Sequence, residues 1–82
     1  MGSPMKPIPL IQVPGNRKAR ILGYQGGPGI RRRLEHMGIH AGDVVTVLQY
    51  GALGGPVLIR VHGFQLALGR GIATKIIVEE VE

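Results

Sequence analysis

Fourteen glycines in 82 residues, joined by six prolines, cut this chain into pieces too short for most architectures. Between them stand short apolar runs rich in β-branched residues: RKARILGY, VVTVLQY, VLIRVHG, FQLALG and KIIVEEVE. Such runs bounded by turn residues read as strands. Strands this short cannot build two full sheets. They can close into one small, strongly bent barrel, which also protects their edges. The expectation is therefore a mainly β fold, a small barrel of about five antiparallel strands with one short α-helix.

The turns and the helix follow from local chemistry. In VPGN, Pro14 presets its φ and Gly15 accepts a positive one, which makes a turn ahead of the first long strand. In that strand Ala19 and Ile21 share one face, while Lys18 and Arg20 share the other. The segment PGIRRRLEHMG is the helix. Pro28 suits the first turn, and Ile30, Leu34 and Met37 form a stripe at i, i+4, i+7. Gly38 is placed as a left-handed stop with Ile39 folding back on the stripe. Arg31, Arg32 and Arg33 then fan across the solvent side, Arg33 nearest the stripe's edge. GALGGP at 51–56 reads as a hairpin loop, RGIAT as a turn or one turn of helix, and VLIRVHG as a returning strand that carries His62. The expected core is Ile21, Leu34, Met37, Val45, Val47, Ile59, Val61, Leu66 and Ile77.

The opening MGSP ahead of Met5 reads as an expression scar, leaving residues 5–82 as one domain. A domain of this size buries only roughly 60% of its unfolded surface and has little room for an internal active site. No stretch approaches the roughly 20 apolar residues that span a bilayer. The segment MKPIPLIQVPG is too short and proline-broken for a secretory core. The expected location is cytoplasmic, with the inner face of the membrane as a second place of work.

Residue inventory excludes much chemistry. The chain has no cysteine, which removes disulfides, thiolate metal sites and thiol catalysis together. Its only serine is Ser3, its only aspartate is Asp43 at a turn, and Glu35 is the one mid-chain glutamate. No nucleophile–base pair or paired carboxylates remain, so no enzyme is expected. His36 and His40 have the i, i+4 spacing of two ligands on one helix face, but Gly38 falls between them and His62 lies on a distant strand. They rank as weak surface candidates for a metal; no metal site and no cofactor are expected. GGPG before a helix lacks the remaining positions of a nucleotide-binding loop.

Ten Lys/Arg against five Asp/Glu give a net charge of +5, which favours anionic partners. A basic barrel binding nucleic acid is the chief alternative. It is disfavoured because Tyr24, Tyr50 and Phe64 are the only aromatics and none lies in the arginine run, whereas single-strand binders interleave aromatics with cations. A metal-sensing role through surface histidines is a third and weaker reading.

Taken in order, RRRLEHMGIHAGDVVTVL, LGGPVLIRVHGFQLALGR and the closing IIVE resemble the FeoA-like domain, the small SH3-like barrel of bacterial and archaeal ferrous iron uptake systems. The resemblance covers about Leu10 to Glu79. It implies a non-enzymatic cytosolic partner of FeoB, the GTPase-bearing membrane permease for ferrous iron. Arg31, Arg32 and Arg33 are then the candidate partner-binding residues, toward an acidic protein face or anionic lipid headgroups. One departure stands out: the family's helical, acid-containing turn after its LALR-like segment is replaced here by GRGIAT.

Overall fold

The structure is a computed structural model and describes residues 6–81. It contains six strands: β1 (Ile8–Pro9), β2 (Arg17–Tyr24), β3 (Val44–Tyr50), β4 (Val57–Val61), β5 (Phe64–Leu68) and β6 (Ile76–Val81). Helix α1 (Pro28–His36) links β2 to β3, and α2 (Arg70–Lys75) links β5 to β6. Single 3-10 turns occupy Leu10–Gln12 and Ala52–Gly54. All pairings are antiparallel, in the order β1-β6-β2-β3-β4-β5. The strands thus number six rather than about five. The additional one, β1, is two residues long and contains Pro9, a combination that blunts an edge. The reading of residues 1–4 as a scar lies outside the described residues.

The inner face follows the alternation of the strands. Ala19 and Ile21 of β2 meet Val45 and Val47 of β3, Val57, Ile59 and Val61 of β4, and Ile76 and Val78 of β6, all buried. Two irregularities bend the sheet. The β2–β6 register shifts between Ile21 and Gly23, and the β3–β4 register shifts between Val47 and Gln49. Each leaves one residue unpaired, Leu22 and Leu48, and increases local twist. Leu22 is turned out to solvent as a result.

Three expected core positions need correction. Ile77 is only half-buried, while Ile76 and Val78 are fully buried. A run of three apolar residues carries no period, and the face is chosen by pairing: Ile21 opposes Val78, so Ile77 faces outward across from Gly23. Leu66 is half-buried because β5 is an edge strand, and Leu68 takes the deeper place. Met37 is half-buried because it caps α1 rather than lying inside it. Leu10, Val13, Ile72 and Ala73 join the core from outside the strands. The 3-10 turn carrying Leu10 packs against α2, which is helical despite Gly71.

Candidate partner-binding surface

At one end of the sheet, α1 forms as its sequence dictates. Gly27 precedes it, Pro28 fills the first position, and Leu34 is buried at 3% exposure with Ile30 and Met37 partly buried beside it. Beyond the cap residue Met37, Gly38 adopts φ +77°, a left-handed conformation that glycine takes without steric cost. The Ile39 N–H donates to the Leu34 carbonyl at 2.9 Å and the Gly38 N–H to the Glu35 carbonyl at 3.0 Å. This is the paired bonding of a Schellman stop, and Ile39 is buried against the core as that motif requires.

The stripe turned inward leaves Arg31, Arg32 and Arg33 exposed. Arg31 Nε pairs with Glu35 one turn on at 3.5 Å, an exposed contact of little energetic weight. Arg32 and Arg33 meet no carboxylate among the described residues. Next to them lies a cleft of about 220 Å³, with Ile21, Leu34 and Ile39 as its floor and Arg31, Glu35 and His40 on its rim.

Of the three histidines, only His62 is placed differently from the sequence expectation. His36 ends α1 and His40 stands past the glycine stop, so the two do not form a helical pair. His62 is not on a distant strand. With Gly63 it forms the two-residue turn between β4 and β5, both at positive φ (52° and 80°), as a type I′ hairpin requires. That turn brings His62 Nε2 to 3.1 Å from Asp43 Oδ2, with His40 Nδ1 at 3.7 Å from the same oxygen. Asp43 Oδ2 also accepts the His40 backbone N–H at 2.8 Å. Partial burial pushes the Asp43 carboxyl upward, but the His40 amide and the two imidazoles outweigh it and hold its pKa below the ordinary value. Asp43 thus acts as the turn residue its position suggested and also ties the α1–β3 turn to the β4–β5 hairpin. Among the described residues no three His, Cys, Asp or Glu side chains converge on a metal centre.

At the opposite end of β3 stands the loop 51–56. The Gly51 N–H donates to the Pro56 carbonyl at 2.8 Å and the Gly55 N–H to the Ala52 carbonyl at 3.0 Å. A Cβ on Gly51 would lie 3.0 Å from both the Gly55 carbonyl carbon and the Pro56 oxygen, so this close backbone approach demands glycine. At its tip Leu53 is fully exposed with φ 56° and ψ 43°, a left-handed conformation unusual for leucine. Beside the loop, the Arg70 guanidinium lies 5.9 Å from the centre of the Tyr50 ring, within cation–π range. Neither Leu53 nor Arg70 was singled out by sequence. The available signal was a leucine isolated among glycines.

The charged side chains divide into paired and unpaired groups. Glu35, Asp43, Glu79 and Glu80 are each engaged, the last two by Arg20 at 3.4 Å and Arg17 at 3.1 Å. Lys6, Lys18, Arg32, Arg33, Arg60, Arg70 and Lys75 have no carboxylate within 4 Å among the described residues. Among those residues no helix is long and apolar enough to cross a membrane.

Comparison with known proteins accords with this geometry. A protein of Methanocaldococcus jannaschii, provisionally named Fe(2+) transport protein A, is 43% identical over 74 residues, 90% of this chain and 88% of that protein. The crystal structure of an iron uptake regulatory protein (FeoA) superposes with a TM-score of 0.84 at 29% identity, covering 93% of this chain and all of that one. The solution structure of an FeoA-like protein from Clostridium acetobutylicum gives 0.85 at 28% identity, over 94% of this chain and 90% of its own. The bent six-stranded sheet is therefore the SH3-like barrel that the sequence resemblance implied. The FeoA domain profile matches residues 8–80, the whole of the sheet and both helices apart from the last residue of β6, and the chain belongs to the FeoA domain family.

Proposed function

We propose that this chain is an accessory protein of ferrous iron uptake that docks, without catalysis, on the cytosolic side of an FeoB permease. Family membership and the name of the M. jannaschii relative support the iron-transport assignment. The docking reading rests on one observation above all. Every described carboxylate is already engaged, yet Arg32 and Arg33 stand unpaired on an exposed helix face beside Arg31. A surface with surplus cations and a helix fixed by a full C-terminal stop suits an acidic protein face. Complementary charge of this kind steers association more than it holds the complex together.

The test replaces Arg31, Arg32 and Arg33 together with glutamate. Surface changes away from caps and core alter stability by about 0.5 kcal/mol or less, so the fold should survive. Association with FeoB should slow and iron-dependent growth should fall. Unchanged association and growth would reduce the triplet to ordinary surface charge. A parallel titration with random-sequence RNA at physiological salt distinguishes the nucleic-acid alternative.

A further inference from the structure

The loop between β3 and β4 carries one unresolved cost, and a second lies against it, at Arg70 of α2. Leu53 is held fully in solvent, in a left-handed backbone conformation that disfavours a branched side chain. The loop does not place it there through slack. Gly51 and Gly55 pack at near-contact distance, two backbone hydrogen bonds close the turn, and with glycines at 51, 54 and 55 only the Ala52 methyl stands beside the leucine in the loop. Beside Gly54 lies the second cost. Arg70 Nε is the one buried side-chain polar atom without a hydrogen-bond partner among the described residues, and a Cβ on Gly54 would sit 4.0 Å from it. Buried donors are normally satisfied, and an exception calls for an explanation. The guanidinium is fixed by the Tyr50 ring and meets no carboxylate among the described residues.

We infer that the Leu53 tip and Arg70 form a docking anchor for an acidic protein segment, one that offers an apolar socket to Leu53 and a carboxylate to the Arg70 guanidinium. Docking desolvates the leucine and sets a counter-ion against the solvent-facing part of the guanidinium, whose Nε stays enclosed. The loop lies at the far end of β3 from α1, so the anchor is separate from the arginine triplet. The two surfaces have different duties. Exposed charge on α1 sets the rate of encounter, while a desolvated anchor sets the lifetime of the complex. This inference rests on the docking reading above and places the tight contact at the loop end of the barrel.

The experiment measures association and dissociation of the full chain on immobilised, detergent-solubilised full-length FeoB, for wild type, Leu53→Asn, Arg70→Gln, Arg70→Lys and the arginine-triplet variant. Asparagine accepts left-handed backbone, so Leu53→Asn should keep or raise the thermal midpoint. It should nevertheless weaken binding about tenfold or more, through faster dissociation, as removal of an interface anchor does. Arg70→Gln should act in the same direction and Arg70→Lys should recover part of the loss, while the triplet variant should change mainly the association rate. Wild-type binding with unchanged dissociation for Leu53→Asn would overturn the anchor and leave the docking reading standing. No wild-type binding to FeoB would overturn both, and capture of random RNA in its place would point to the nucleic-acid alternative.

Discussion

Tyr50 offers the most direct test of how the chain's amino-terminal segment is held. Its hydroxyl sits under three backbone carbonyls, donating to that of Val13 and lying 3.0 Å from Ile11 O and 3.3 Å from Leu10 O. Val13 and Leu10 are fully buried, so water has poor access to these oxygens. Tyr50→Phe preserves the ring, its packing and its contact with Arg70 while removing the hydroxyl proton that they share. A hydrogen bond contributes about 0.5–1.5 kcal/mol net, and a buried acceptor left without a donor costs about 1–3 kcal/mol. Leu10 O keeps the Val13 N–H at 3.0 Å, which softens the loss. The expected destabilisation is about 2 kcal/mol, a sizeable share of the roughly 4–12 kcal/mol typical of a chain this long. Near the midpoint it corresponds to a drop of roughly 10 °C. Urea denaturation followed by circular dichroism should show the midpoint falling by about 1–2 M. Burial raises the Tyr50 pKa, with Arg70 opposing it in part. The hydroxyl's contribution is therefore fully present below the ordinary tyrosine range and is lost as pH rises through the raised value. The gap between wild type and Tyr50→Phe should close in strong alkali. A gap under about 0.5 kcal/mol at neutral pH would refute the reasoning and show the three carbonyls to be hydrated.

Two further perturbations probe the rest of the scaffold. Leu34→Ala removes the buried centre of the α1 stripe and should cost about 2–5 kcal/mol by urea titration, whereas a loss under about 1 kcal/mol would mean that α1 is not seated on the sheet. Asp43→Asn should abolish the pairing with His62; because the Asp43 pKa is depressed in the folded protein, its contribution is present above the unfolded value of about 3.9 and is lost as pH falls through the folded one. The wild-type advantage over Asp43→Asn should thus vanish in acid, and an advantage that persists unchanged there would assign the effect to packing.

What the sequence made legible was whatever local chemistry controls. The α1 stop at Gly38, the exposure of the three arginines, and the alternation that buries Ala19, Ile21, Val45 and Val47 are all written in short-range pattern. Tertiary choices were not. Nothing local says whether Ile76 or Ile77 faces inward, because the register is set by Ile21 opposing Val78 across the sheet. Leu10 and Val13 read as part of a proline-broken terminal segment, and become core only because α2 and Tyr50 close over them. His62 reads as strand continuation, yet His-Gly accepts positive φ at two successive positions and becomes the turn itself. On the candidate surface, the arginine triplet was visible as composition, whereas the Leu53 tip depends on a backbone conformation that only the folded loop specifies.

The position of β6 has a consequence for how the protein is made. Residues 76–81 emerge from the ribosome after every other strand, yet they lie between β1 and β2 and pair with both. A hairpin forms far faster than synthesis adds residues, at about 5–20 per second, so β2 to β5 can pair as soon as they are free, before β6 is available. Until the last segment arrives, the edge of β2 that meets β6 stays unpaired, an open template for another chain. Closure therefore waits for the last of the described strands, and a chain cut before Ile76 would present an adhesive edge on β2 and leave β1 with nothing to pair with.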